Sequence, residues 1–597
     1  MSTHSIPNSQ GQVTQVNSGD IYGELWGSFG IDLTTSRGKI KSSKRLQETL
    51  SVAQMDNDDV QAFLLFGGKL INLISGGTYQ HINAYRNPRI SGSWTSTTNA
   101  SFDIGQESDA VAFDGKALVS TGTNIASSTT GTGSWDFDWW TAVTSGTALS
   151  VGKPHTMDVS RVGQETLFVT DGNKVRYYNT TAGHSTVTLS TSHTACCLAT
   201  DGFATWVGTY TNQDTALVYE IYVGEELAGT PIARRSYPID GRAVLSMDII
   251  DTIPYIVTDR GNIQRFNGRG FVTVASFPFA DKGVTLAGLE VGNINDENIA
   301  RAIHPKGMRK DGKKLLININ TNNQLIDTLA GNPLDNDDIF TNVVVDERSP
   351  SGIWEYDTET GVLNHRYALT YPDYKGHHRQ QSSGPILVLN NQYSRILTAG
   401  RVESDRTDIF AESPDDVPFS YFITPEIVAN TVSEAWETLA LKADTLKAGE
   451  SIEIKYRTKN DRLFPLYGEI NWLSDTEFTT TADWSLVVPD EDGSYNYEVE
   501  LLNGYNAGEI AQITSVSVSS GLVYTVKIDS AIGSTGTTSH ARIQNWKKID
   551  YTYDSDKLEL DKIGLAVSAP WIQFKIIMRG LVTIRHTLIK GNSKSEL

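Results

Sequence analysis

The chain has 597 residues, 39% of them hydrophobic, with a mean hydropathy of −0.28. This material exceeds what a single core of about 250–300 residues can use, so two or three soluble domains are expected. The formal net charge of −20 argues against a duplex-binding protein, which needs basic residues to displace counterions, and against adhesion to an anionic membrane. Glycine outnumbers proline 51 to 18, the usage of an all-β chain with many tight turns.

Residues 1–20 are polar and turn-rich and read as a flexible arm; the first residues, MSTHSIPNSQ, lack the basic and apolar regions of a secretory signal. Residues 21–50 mix apolar residues with a basic cluster, Arg37 to Arg45. A solvated loop is the expected reading, an inter-subunit contact the alternative. No window approaches 18 apolar residues, so no membrane-spanning helix is expected.

The organising stretch is Thr166–Asn179, TLFVTDGNKVRYYN. Two β-branched and aromatic runs flank Asp171-Gly172-Asn173, which predicts a β-hairpin. The pattern returns at Tyr255–Asn267, YIVTDRGNIQRFN. Asp171 and Asp259 lie about 88 residues apart, two periods of about 44, and four-stranded propeller blades run about 40–50 residues. Weaker copies stand at Phe63–Ile74, Ala110–Ala117 and Cys197–Gly208, and blade-like units begin near Val60, Asp109, Thr156, Ala195, Ala243, Ala302 and Pro385. The expectation is a six- or seven-bladed β-propeller over residues 21–422, against the alternative of duplicated hairpins in an ordinary sandwich. The sixth unit carries an insertion from Thr321 to Pro350, and Trp354–Arg366 supplies a further hairpin. Trp139, Trp140, Trp206 and Trp354 are expected to fill the core. Cys196 and Cys197, adjacent and therefore poor disulfide partners, are expected as two thiols in or beside a strand.

Pro414, Pro418 and Pro425 mark residues 414–427 as a linker. Beyond it, alternating strands predict a C-terminal β-sandwich over residues 423–475 and 549–597. Strand similarity on both sides of residues 476–548 predicts a small β-barrel inserted there.

Chemistry is sparse. P-loop, dinucleotide-turn, nucleophile-elbow and His-Glu-x-x-His motifs are missing from the sequence. His377 and His378 would point to opposite faces of a strand, and His304, His365 and His586 stand alone, so no metal, cofactor or catalytic residue is assigned. Asp56–Asp59 and Asp335–Asp338 could begin calcium loops, but neither continues into a full loop pattern, and a solvated turn is preferred. Asp158, Asp201 and Asp248 recur at comparable places and could line an acidic channel mouth, as a propeller glycosidase would need. Trp139, Trp140 and Tyr177 are the candidates for stacking on sugars.

The repeated hairpins LFVTDGNKVRYYN and YIVTDRGNIQRFN, together with Leu439–Thr458 and Trp571–Ile589, resemble the propeller-bearing virion proteins of tailed bacteriophages, the class that includes tail nozzle and tail-tip proteins. The resemblance is one of pattern and carries over no functional residue. It implies a non-enzymatic structural component of a phage tail, assembled in the host cytoplasm, contacting other virion proteins and forming a homo-oligomeric ring. Its acidic surface would let viral DNA pass without adhering. A receptor protein for a host surface glycan and a propeller glycoside hydrolase are the alternatives.

Overall fold

The structure is a computed structural model. It describes residues 2–5, 25, 27–35, 39–48, 60–74, 77–82, 94–96, 109–131, 134–213, 215–222, 232–278, 302–320, 350–367, 382–389, 396–403, 406–413, 419–429, 434–458, 466–489, 493–501, 510–519, 522–544, 546–549, 551, 553 and 561–593. The chain is almost entirely antiparallel β-structure, with one short helix, Trp139–Val143, among the described residues.

Among the described residues, seven small sheets succeed one another along the chain. Their first strands are Val60–Phe66, Ala110–Phe113, Met157–Ser160, Thr194–Thr200, Val244–Ile250, Met308–Asp311 and Ser382–Val388. Each first strand packs against the first strand of the next sheet, and Ser382–Val388 returns to Val60–Phe66, so the contacts close into a cycle. This is a propeller-like arrangement. The two hairpins singled out in the sequence are the second and third strands of the third and fifth sheets, Thr166–Asp171 with Lys174–Asn179 and Ile253–Thr258 with Asn262–Phe266. At the tip of the first hairpin Gly172 has φ 63°, a left-handed conformation that side chains with a Cβ avoid.

Six sheets have four strands; the second has three, extended by a bridge from Ser127 to Asp136 and followed by the short helix. That helix buries Trp140 completely and Trp139 nearly so, beside Phe113, Met157 and Leu167. Trp206 and Trp354 are buried between later sheets. All four tryptophans are therefore core, as their sequence positions predict. The two cysteines lie at a β-bulge in Thr194–Thr200, both buried and unbridged, and the Cys196 thiol donates to the Val244 carbonyl of the next sheet at 3.0 Å.

The seventh sheet is completed by Arg45–Glu48, which pairs with Arg406–Ser413. The described part of the basic cluster, residues 39–45, is thus not a solvated loop. Ile40–Ser42 and Arg45–Glu48 are strands in two different sheets, and Lys44 lies 3.8 Å from Glu412.

Two six-stranded sheets share a second core, built around Trp436, Leu439, Phe574, Ile576 and Ile584. Both ends of the chain contribute to them. Gly27–Phe29 pairs with Phe419–Ile423, Ile31–Asp32 pairs with Ile40–Ser42, and Ser2–Ser5 adds to Thr583–Ser593. Three sequence-based boundaries shift accordingly. Part of residues 1–20 is a strand, Gly27–Phe29, Ile31–Asp32 and Ile40–Ser42 belong with the C-terminal sheets, and the proposed linker contains the strand Phe419–Ile423. Apolar alternation marks a strand but not its partner, and here the partners lie several hundred residues away.

A closed six-stranded barrel joins Leu466–Trp472, Glu477–Thr480, Tyr524–Ile528, Ile510–Val518, Glu498–Leu501 and Thr538–Gln544. It begins at Leu466 rather than at 476 and is filled by Trp472, Phe478, Trp484 and aliphatic residues. The Thr321–Pro350 insertion, Asp56–Asp59, Asp335–Asp338 and His377-His378 fall outside the described residues, apart from Pro350.

Candidate functional site

The carboxylates expected at a channel mouth hold backbone instead. Met157-Asp158-Val159 and Met247-Asp248-Ile249 are the same local pattern in the first strands of the third and fifth sheets. Asp158 Oδ1 accepts from the Val159 N–H at 2.9 Å, and Oδ2 accepts from the Thr200 N–H of the fourth sheet at 3.0 Å. Asp248 repeats this with Ile249 at 2.7 Å and with Lys310 of the sixth sheet at 2.8 Å. Asp201 closes a turn by accepting from Phe203 and Ala204, each at 2.8 Å. A carboxylate bridging two amides on adjacent sheets satisfies donors the sheet edges leave open. Asp158→Ala should therefore lower stability by roughly 1.5–3 kcal/mol, the range for a lost charged hydrogen bond. Chemical denaturation measures it, and Asp248→Ala should behave alike.

The proposed sugar platform is likewise internal. Trp139 is 5% exposed, Trp140 0% and Tyr177 3%, so none offers a face to a glycan. His365 is buried between Phe29, stacked at 4.9 Å, and Trp354, edge-on at 5.6 Å. Its Nδ1 accepts from the Gly30 N–H and its Nε2 faces the Ser351 carbonyl, both at 3.0 Å. His586 sits opposite Lys442 in the strand Thr583–Ser593. His304 is buried, its Nδ1 accepting from the Lys306 N–H at 3.1 Å. Burial, with the charges of Lys306 and Arg309, lowers its pKa to about 3.

A histidine held neutral in the fold but free to ionise when unfolded draws protons to the unfolded chain. Its contribution is present above the unfolded value of 6.5 and declines as pH falls toward 3. The urea midpoint should fall across that window, and His304→Gln should flatten that part of the profile.

The candidate site is a cleft of about 800 Å³ where the sixth and seventh sheets meet one of the two large sheets. Asp32, Lys41 and Ser42 come from the N-terminal strands, Glu355 and Arg366 from the sixth sheet, Glu412 from the seventh and Thr583 from the C-terminal strand. Arg366 Nη1 lies 2.6 Å from Asp32 Oδ1, and its Nε lies 3.7 Å from Glu355 Oε2. Lys314 Nζ is 3.3 Å from Glu355 and also bonds the Thr34 hydroxyl. The Tyr367 hydroxyl donates to Glu412 at 3.1 Å. Burial raises the Asp32 carboxyl, but the Arg366 guanidinium and the Thr35 hydrogen bonds outweigh it, and the group rests well below the usual carboxylate range. Burial pushes the Tyr367 phenol up.

Chemically this cleft is a chain of paired charges. Among the described residues no group of three or more His, Cys, Asp or Glu could hold a metal. What the cleft does is join the ring of small sheets to the large sheets, aided by the Asn364 amide, which donates to the Ile31 carbonyl at 2.8 Å. Sequence reading missed it because its members, Asp32, Glu355, Arg366 and Glu412, come from distant segments. The one legible signal was the basic run ending at Arg45.

No family model matches the chain, and no curated protein matches it. Solved structures similar to it include the computationally designed Ika8 protein, at 10% identity and TM-score 0.33, covering 61% of this chain and 99% of that one. A catalytically inactive virginiamycin B lyase from Staphylococcus aureus, with quinupristin, matches at 10% identity and TM-score 0.36, covering 62% and 99%. The extracellular domain of a hybrid two-component system, BT4673, from B. thetaiotaomicron matches at 11% identity and TM-score 0.37, covering 74% and 46%. At these values the likenesses carry no argument about activity.

Proposed function

We propose that the chain is a structural docking subunit of a bacteriophage tail, built as a seven-bladed β-propeller joined to a β-sandwich with a small inserted barrel. The observation that supports a structural role most directly is the fate of its chemically capable groups. Asp158, Asp201 and Asp248 hold backbone amides, Trp139, Trp140 and Tyr177 fill the core, and the charged cleft knits the ring to the large sheets. A subunit of this kind works through rigid surfaces: loops on two faces of a disc and a second β unit beside it. The tail assignment rests on the repeated-hairpin pattern, and the net charge of −20 suits a wall along which an anionic duplex slides.

Light scattering and negative-stain imaging of the full recombinant chain test the assembly. A closed homo-oligomeric ring is expected, and a monomer at every concentration tested would count against it. Turnover of any member of a glycan panel would replace the structural reading with an enzymatic one.

A further inference from the structure

We infer that the axis of the seven-sheet ring is sealed by Lys306, so that nothing threads the ring and any conduit must lie between subunits. The sealing rests on this chain alone; the conduit clause rests on the proposed tail function.

Lys306 lies just before the sixth first strand, in a segment fixed by its backbone on both sides. Ser246 of the fifth sheet donates its hydroxyl to the Pro305 carbonyl at 2.8 Å. The Ile386 N–H of the seventh sheet donates to the Lys306 carbonyl at 2.9 Å, and the His304 N–H donates to the Ser383 hydroxyl at 2.6 Å. From this anchorage the lysine side chain reaches the second and third sheets. Its Nζ donates to the Met157 carbonyl at 2.7 Å and lies 3.3 Å from Asp109 Oδ2. Asp109 in turn accepts from the Met157 N–H at 2.8 Å and from the Ala110 N–H at 2.8 Å.

Among the described residues the main contacts between first strands follow the cyclic order already described, in which the sixth sheet neighbours the fifth and seventh. A side chain that starts at the sixth and ends on the second and third therefore crosses the middle of the ring. Lys306 is 4% exposed and Asp109 4%, so the crossing is shut off from solvent. Burial pushes the Asp109 carboxyl up, while Lys306, the Met157 N–H and Arg309 pull it down. A lysine stem with four methylenes fills an axial gap, and its charged head finds an acceptor on the far side. As a strut, Lys306 and the adjoining Pro305 together couple five of the seven sheets.

Hydrogen exchange on the full chain, with thermal unfolding beside it, is the test. Lys306→Met should leave the fold intact yet accelerate exchange of the Met157 amide at least about tenfold, because its acceptor Asp109 is left buried and unpaired. Asp109→Asn should do the same, while Lys313→Ala, which removes an exposed ion pair to Asp251, should leave that amide unchanged. Unaltered exchange in both axial variants would overturn the strut. Should either variant fail to fold, a density map of the unaltered chain decides: a continuous open path along the axis would overturn the seal, and side-chain density bridging Lys306 to Asp109 would support it. An intact seal in a chain that stays monomeric would refute the ring assembly without touching this inference, so the two failures are distinguishable.

Discussion

Replacing Arg366 with methionine is expected to lower folding stability by about 3–5 kcal/mol, the cost of breaking a buried ion pair from one side. The guanidinium is 11% exposed and faces Asp32 and Glu355, whose side chains are 8% and 3% exposed. Methionine matches the stem but leaves Asp32 without its guanidinium partner and Glu355 with Lys314 as its remaining close cation, on opposite sides of the joint between the ring and the large sheets. Urea denaturation measures the loss, and a midpoint within error of the parent would refute the joint. The same network predicts an acid response. Asp32 has a folded pKa below its unfolded value, so its stabilisation is present above the unfolded value near 4 and drains away as pH falls. In Arg366→Met that acid-side slope should shrink, because Asp32 then loses the partner that lowers its pKa.

Lys455→Met should have a loss of similar size, about 3–5 kcal/mol, at the other joint. Lys455 lies on Ser451–Thr458 of a large sheet and pairs with Glu498 on a barrel strand, both buried, with Glu453 at 3.3 Å on the other side. Around it Arg457 lies 4.4 Å over the Trp546 ring and Lys575 lies 4.5 Å over Tyr421. Losing the lysine strands Glu498 between barrel and sheet. Calorimetry should then show the barrel melting apart from the rest, since its own core of Trp472, Phe478 and Trp484 is untouched. Lys455→Met combined with Glu498→Leu should recover most of the loss, because an apolar pair of matching volume often replaces a buried ion pair without penalty. No recovery in the double variant would mean that packing, not charge, holds the barrel.

These joints separate what the residues announce from what they conceal. The hairpins of the third and fifth sheets were legible because Val-Thr-Asp before a glycine turn is a local signal, complete within about fourteen residues. The tryptophans were legible as core because wide faces between sheets need large apolar fillers. The inserted barrel was legible through the similar strands on its two sides. The roles of Asp158 and Asp248 were not. A carboxylate in a first strand looks the same in sequence whether it faces a substrate or an amide of the next sheet, and only the neighbouring strand's position decides.

By itself, then, the sequence determined an all-β chain made of repeated turn-and-strand units with an acidic surface. Its tight turns and period-two alternation are local properties, set by φ preferences and side-chain shape. Tertiary structure alone decided that Gly27–Phe29 and Ile31–Asp32 join the C-terminal sheets, that Arg45–Glu48 completes the seventh small sheet, and that Lys306 spans the ring. Those pairings join segments up to several hundred residues apart, and they depend on which edges and which buried charges remain unsatisfied once the local units have formed.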